Sequence, residues 1–331
     1  IFDYYFNTDE EEWTLWSETV IPYEPDGTIG EDVQFFDIVV PTLDSTRIST
    51  ILGGLVGQGQ PVMFVGGAGT GKSTLMNSYF SKAGDDLMKA LISMNYFTDS
   101  ASFQAQLEGP IDKRSGKIFG PPTGKKLVYF VDDINLPYIE DYGTQNSLSL
   151  MRQSQDYRSY FDRENLGLKK EVVDTMYVAA MNPTAGSFTI TERLQRHFAT
   201  FTVAMPTEAD QRAIYGSILS GHLEAFDASI SAMHGPLVDM TMDLLSLMIA
   251  KFLPSAVKFV YNWNLRELDN VFNGLTRMNP DHYHTPLQCM RLYIHEINRT
   301  FSDRLNDEQD LEKFRNLLQS CYQGKKTRRS N

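Results

Sequence analysis

Two cysteines, Cys289 and Cys321, are all that this 331-residue chain contains. They leave no material for a disulfide framework or for a zinc site built on repeated cysteine pairs. No apolar run approaches the roughly 18 residues that a membrane span needs, and the N-terminus lacks the basic-then-apolar order of a signal peptide. A soluble, intracellular protein in a reducing compartment is expected. Positive charge is also scarce: 30 Lys and Arg stand against 42 Asp and Glu, a net charge of −12. Surfaces that track nucleic-acid phosphates or anionic lipid need concentrated Lys and Arg, so neither nucleic acid nor membrane is an expected partner. The one basic cluster, Lys325-Lys326-Thr327-Arg328-Arg329, reads as a solvated tail or helix end. The glycosylation sequon Asn298-Arg299-Thr300 has no secretory context and reads as accidental. The chain begins at Ile1 instead of Met, which suggests a piece of a longer polypeptide.

What is present in abundance is core material: 42% of residues are apolar and 12% aromatic, ample for about two packed domains. Residues 1–36 are acidic and aromatic, with Phe2, Tyr4, Tyr5, Phe6, Trp13 and Trp16 around Asp9-Glu10-Glu11-Glu12, and hold neither periodicity for long. They read as a lead-in segment that packs its aromatics on a neighbouring element. From about 45 to 55, Ile48, Ile51, Leu52 and Leu55 fall at helical spacing. Short apolar runs then alternate with helices, the mark of a parallel sheet with crossovers. Strands are expected at 62–65, 89–95, 127–131, 176–181 and 199–203, with helices near 72–82, 99–108 and 143–155 and a glycine- and proline-rich hairpin or loop at 110–125. Past about 207 the chain turns helical, with helices near 207–222, 235–252, 265–275, 284–304 and 307–321. The expected architecture is an α/β large subdomain over 37–205, with a five-stranded parallel sheet, followed by a smaller all-helical domain over 206–331.

The run Gly66-Gly67-Ala68-Gly69-Thr70-Gly71-Lys72-Ser73 follows an expected strand and opens an expected helix, the context that gives a phosphate loop its mechanism. Glycines let successive backbone N–H groups turn inward toward phosphate, and the helix N-terminus adds partial positive charge. Lys72 is expected to neutralise β/γ-phosphate oxygens and Ser73 to ligate Mg²⁺, with Gly67, Ala68, Gly69, Thr70, Gly71 and Thr74 completing the cradle. Asp132 closes the apolar run 127–131, where an open parallel sheet presents ligand-binding groups, and is the expected metal-side carboxylate. Asp133 follows where a water-activating carboxylate belongs. The plain alternative is that the two acids begin a loop. Asn182, closing the next strand, carries an amide that can bond the γ-phosphate or the attacking water; alone, Asn182-Pro183 is a turn signal. The Asn-Lys-x-Asp string that reads guanine is absent, which favours adenine. His282 and His284 lack a third ligand at helical spacing and read as a surface pair.

The order of these motifs resembles that of AAA+ ATPases, and more narrowly the third AAA+ module of the dynein heavy chain motor. The resemblance rests on 40–47 (Val-Pro-Thr-Leu-Asp-Ser-Thr-Arg), 120–126 (Gly-Pro-Pro-Thr-Gly-Lys-Lys), 131–137 (Val-Asp-Asp-Ile-Asn-Leu-Pro), 142–145, 179–190, 194–198 and 264–268 (Asn-Leu-Arg-Glu-Leu). The stretch 182–190 (Asn-Pro-Thr-Ala-Gly-Ser-Phe-Thr-Ile) is more similar to axonemal outer-arm heavy chains than to cytoplasmic dynein, and the lead-in resembles the segment that precedes this module.

The resemblance implies a six-module ring. ATP or ADP with Mg²⁺ would bind between large and small subdomains and against the next module, with Val40 and Pro41 among the nucleotide contacts. It implies that Asn182 is sensor 1, Arg266 sensor 2, and Arg196 an arginine finger acting in trans. Arg266 could instead pair with Glu267 or Asp269, and Arg196 with Arg193 and His197 could form a solvated basic helix end. Implied partners are neighbouring AAA+ modules, with intermediate and light chains and microtubules reached through other parts of the heavy chain, in the axoneme of a cilium or flagellum. One departure stands out: the usual AAA+ Walker B motif ends in Asp-Glu, whereas here Asp133 takes the place of the Glu. The side chain is one methylene shorter, which suggests secure binding with slow hydrolysis; a ring segment that traps nucleotide without turnover is the second expectation.

Overall fold

The structure, a computed structural model, describes residues 3–7, 10–24, 29, 33–183 and 189–328, the last seven of these by backbone alone. Residues 184–188 of the resemblance, Phe2 and Asp9 of the lead-in, and Arg329 of the basic cluster lie outside that set. Asp44–Met205 forms one compact unit; Ile1–Leu43 and Pro206–Asn331 together form another.

The lead-in does contain regular structure. β1 (Tyr4–Asn7) and β2 (Glu12–Leu15) pair antiparallel. The pairing stacks Tyr5 on Trp16, centroids 4.4 Å apart, and sets Phe6 edge-on to Trp13 at 5.6 Å. Alternation was invisible in the sequence because each strand is four residues long. Farther on, Phe35 and Val40 are buried in the core of the same unit.

The α/β unit is built from α1 (Leu43–Gly57), β3 (Val62–Val65), α2 (Lys72–Lys82), β4 (Leu87–Ser93) and α3 (Ser100–Glu108), then β5 (Asp112–Ser115), β6 (Ile118–Gly120) and β7 (Lys126–Asp132). It continues with α4 (Asn146–Tyr157), β8 (Ser159–Phe161), β9 (Lys169–Val172), β10 (Thr175–Met181), α5 (Glu192–Gln195) and β11 (Ala199–Thr202). Five strands form the expected parallel sheet, in the order β11-β3-β10-β7-β4. Successive side chains of a strand point to opposite faces. Val128 and Phe130 accordingly pack with Leu52 and Val56 of α1 and Leu75 and Met76 of α2. Leu127, Tyr129 and Val131 pack with Phe103 and Leu107 of α3 and Leu148 and Met151 of α4. A sheet covered on both faces reads as an unbroken apolar run, and residues 127–131 are all 3% exposed or less.

The expected hairpin at 110–125 exists as β5 and β6, but it belongs to a second sheet, β5-β6-β9-β8, that the sequence reading did not contain. β9 escaped notice because it reads Lys-Lys-Glu-Val, yet its burial alternates. Lys170 can be buried there because its Nζ is 2.9 Å from Glu108 Oε2 and 2.6 Å from Asp162 Oδ2, which compensates the desolvation of the charge.

The helical part comprises α6 (Glu208–Leu223), α7 (Ala228–Ser231), α8 (His234–Lys251), α9 (Leu265–Leu275), α10 (Pro286–Ile297) and α11 (Glu308–Arg328). Leu265, Leu268, Val271, Phe272 and Leu275 form the apolar stripe of α9, all buried. The expected helix over 284–304 is interrupted: α10 passes into a π-helical turn at Asn298–Ser302, where Asp303 N–H donates to the Asn298 carbonyl at 3.0 Å. Such five-residue bonds leave no trace in hydrophobic periodicity.

Candidate functional site

Three neighbouring strands end side by side. β3 delivers the glycine loop, β10 beside it delivers Asn182, and β7 beyond it delivers Asp132. Because the strands are parallel and in register, with Met181 beside Val65 and Ala179 beside Val131, these groups converge on one sheet edge. That is where open α/β sheets bind ligands.

The loop between β3 and α2 is held from both sides. Gly66 N–H donates to the Met181 carbonyl at 3.1 Å, and a Cβ on Gly66 would lie 2.3 Å from the Val203 carbonyl oxygen. No side chain fits there. Gly71, the residue before α2, has φ of +85° and no side chain caps the helix. Its first-turn N–H groups are thus presented by the backbone, the arrangement that binds phosphate. Lys72, 8% exposed, folds back over the loop and donates from Nζ to the carbonyls of Gly66 at 2.9 Å and Gly67 at 2.7 Å. Thr70 Oγ1 closes the same turn on the Gly67 carbonyl at 3.1 Å. Gly67, Ala68 and Gly69 are half-buried, and Ser73 and Thr74 are exposed on the first turn of α2.

Ser73 Oγ donates to Asp132 Oδ2 at 2.7 Å. Residues 59 positions apart thereby join a hydroxyl to a carboxylate beside the loop. These are the hard oxygen donors that Mg²⁺ takes when phosphate supplies the remainder of its shell. Among the described residues no group of three His, Cys, Asp or Glu side chains could hold a metal ion. Asp132 Oδ1 accepts the Asp133 N–H at 3.0 Å, and Asp133 has φ of +54°. The chain then rejoins β10, Ile134 N–H donating to the Ala180 carbonyl at 3.1 Å. Asn135, 1% exposed, donates from Nδ2 to the Asn182 carbonyl at 3.0 Å. Asn182 itself is 9% exposed. Asn135 had no assigned role in the sequence; its signal there was its place in the 131–137 stretch, three residues after Asp132.

The remaining candidates lie on other elements. Arg196 follows α5 and precedes β11, whose first residue Ala199 is in register with Val62 at the start of β3. It therefore precedes the end of β11 that lies beside the start of β3, opposite the end of β3 that carries the glycine loop. Its Nη2 lies 2.9 Å from Asp156 Oδ1, which His197 Nε2 also approaches at 3.0 Å, and its side chain is mostly exposed. Val40, Pro41 and Arg266 belong to the other compact unit. Arg266 lies in the first turn of α9, its N–H bonded to the capping Asn264 Oδ1 at 2.9 Å. Glu267, one of the alternative partners for Arg266, is engaged by Arg304 at 2.7 Å. The other, Asp269, accepts the Tyr215 hydroxyl at 2.8 Å. Burial pushes its carboxyl up to about 6, opposed by the Tyr215 bond and by the positive charge of Arg266.

Comparison with known proteins agrees with this geometry. A family model described as a P-loop containing dynein motor region matches residues 28–206, and an AAA+ lid domain matches residues 237–327. The ciliary dynein beta chain of Tripneustes gratilla is 41% identical over 320 residues, 96% of this chain and 7% of that protein. The flagellar outer-arm dynein beta chain of Chlamydomonas reinhardtii is 41% identical over 315 residues, 95% of this chain and 7% of that protein. Dynein axonemal heavy chain 17 of Homo sapiens is 41% identical over 315 residues, 94% of this chain and again 7% of the relative. The chain thus spans a small fraction of the length of these relatives. With the phosphate loop on β3, the Ser73–Asp132 pair beside it and a helical region that matches the lid, the chain belongs to the P-loop containing dynein motor region, an AAA+ ATPase family.

Proposed function

We propose that this chain is the third AAA+ module of an axonemal, outer-arm-type dynein heavy chain, where it binds ATP with Mg²⁺, hydrolyses it slowly, and so regulates the microtubule motor cycle. The observation that carries the reading is the 2.7 Å bond between Ser73 and Asp132 at the mouth of the glycine loop. It joins the two halves of a phosphate-and-metal site from separate strands. In this reading Lys72 and the α2 N-terminus hold the β/γ-phosphates, Asp133 orients the attacking water, and Asn182 bonds the water or the γ-phosphate. Mg²⁺, where Ser73 and Asp132 hold it, would neutralise charge developing on the phosphate oxygens. Arg266 keeps the sensor 2 role and Arg196 the finger role on the family pattern, and the exposure of Arg196 on the opposite sheet edge suits action in trans. The printed names of the relatives, ciliary, flagellar and axonemal, support placement in an axoneme. Neighbouring modules of the same heavy chain are the direct partners; intermediate and light chains and microtubules engage other parts of that chain.

Slow turnover follows from Asp133 in place of Glu, since misplacement near 1 Å costs roughly a hundredfold in rate. Nucleotide trapping without turnover is a second reading, favoured by the left-handed backbone of Asp133, whose N–H is taken by Asp132. The test is Lys72→Ala in the intact motor with radiolabelled ATP. Loss of one bound nucleotide per heavy chain is expected; retained stoichiometry and affinity would overturn the assignment. Decay of the retained label from ATP to ADP separates slow turnover from trapping.

A further inference from the structure

We infer that Asn135 is a positioning residue for hydrolysis, tying the turn that carries Asp133 to the segment that carries Asn182. The inference rests on the proposed ATPase role of this site.

The turn after β7 is anchored at successive points. Asp132 accepts from Ser73 and from the Asp133 N–H. Asp133 then takes a left-handed backbone, and Leu136 N–H closes the turn on the Asp133 carbonyl at 3.0 Å. Two links carry the turn across to β10. Ile134, fully buried, donates its N–H to Ala180, which extends the strand ladder one step past Asp132. Asn135 reaches one step farther and places its amide on the Asn182 carbonyl, which lies beyond the last residue of β10 and therefore outside the ladder. The first link sets the height of the turn. The second holds the peptide that follows Asn182, and so restrains the backbone from which the Asn182 side chain projects. One buried amide thus fixes the spacing between the two groups proposed to meet the water and the γ-phosphate.

A backbone carbonyl needs only a donor, so this role requires the donating nitrogen of Asn135 and not its bulk. Asn135→Leu keeps the branched side-chain skeleton and removes the donor, with some added bulk; Asn135→Ala, which removes the donor without adding bulk, repeats the test should Leu disturb folding. Tyr129→Phe is the control, because it deletes a buried bond from the strand that precedes the turn, Tyr129 hydroxyl to the Leu107 carbonyl at 2.6 Å, on the face of the sheet covered by α3 and α4. In the intact motor, the bound-ATP amplitude that Lys72→Ala removes isolates this site, and its single-turnover decay is the readout. Removing the tie should slow that decay by about ten- to a hundredfold while ATP affinity stays within about threefold, and Tyr129→Phe should match the unaltered motor. An unchanged decay in both Asn135 variants overturns the inference and leaves the ATPase reading standing. So does loss of affinity in step with rate, or equal slowing by Tyr129→Phe, since either marks general damage to the domain. If Lys72→Ala removes no amplitude, or the amplitude never decays, the hydrolytic reading falls and the inference falls with it.

Discussion

Asp133 combines two unusual properties in one residue: it stands where the usual AAA+ Walker B motif has Glu, and its φ is +54°. The two are physically connected. Asp and Asn visit the left-handed region more readily than residues with longer side chains, because a short polar group can bond its own backbone there. Asp133→Asn keeps that backbone preference and removes only the negative charge. It should leave ATP affinity intact and slow single-turnover hydrolysis at this site by about a hundredfold or more. An unchanged rate would show that Asp133 is not the group that activates water. A second residue-scale prediction concerns Asp269, whose carboxyl burial lifts to about 6 from the ordinary aspartate value of 3.8. A raised acid pKa means that the folded state binds the proton more tightly than the unfolded state. Stability therefore rises as pH falls through about 6 toward 3.8, and the ionised form costs stability at neutral pH. Asp269→Asn, which still accepts from Tyr215, should stabilise the helical unit at pH 7 by on the order of 1 kcal/mol and by less at pH 5. Denaturant midpoints at the two pH values check this, and an equal gain at both would refute it.

At the scale of elements, the loop and the strand ends are the parts that the sequence made most legible. A contiguous string between an apolar run and a helix carries its own context, so β3, the loop and α2 could be placed from residues 62–82 alone. The closeness of Gly66 to Val203 could not be, because the contact spans 137 positions and depends on β11 lying beside β3. Gly66→Ala should therefore do more than stiffen a turn. With a Cβ driven to 2.3 Å from a carbonyl oxygen, β3 and β11 must separate, at a cost of about 1–3 kcal/mol, and the loop should lose nucleotide affinity at least tenfold. Calorimetry and ATP titration of the variant read both. The small sheet shows the same limit from the other side. β8 and β9 are three and four residues long, and β9 is rich in charge. Lys170 becomes a strand-interior residue through Asp162 across the β8–β9 connection and through Glu108, which is distant in sequence. Periodicity has no access to that compensation. Asn135 was missed for a similar reason, since its partner is a backbone carbonyl 47 residues away.

For the whole molecule, ligand linkage supplies the broadest test. A ligand that binds only the folded chain stabilises it by about 2.7 kcal/mol at a hundredfold excess over Kd, a rise in Tm on the order of 5 °C for a domain of this size. Mg²⁺-ATP should produce such a rise, GTP a smaller one, and Lys72→Ala should abolish it; an equal rise in the variant would place the nucleotide elsewhere. The overall acidity of the chain, −12, bears on solubility and association and says nothing of this site, whose charge is set locally by Lys72, Asp132 and Asp133. Among the described residues no helix is long and apolar enough to cross a membrane, in line with the absence of long apolar runs in the sequence.

What the sequence determined by itself was local in character: the parallel α/β class, the five strands of the main sheet, the helical character after about residue 207, and the identity of the residues at the strand ends. Each of these depends on side-chain periodicity or on groups adjacent in the chain, and neighbours in sequence are neighbours in space whatever the fold. Tertiary structure alone decided which strands stand side by side, and hence that Ser73 meets Asp132. It also decided that Gly66 must lack a side chain, that β8 and β9 complete a second sheet, and that Asn135 reaches Asn182. Those outcomes rest on hydrogen bonds and close approaches between residues far apart in the chain, and such contacts come into being only when the strands have found their order.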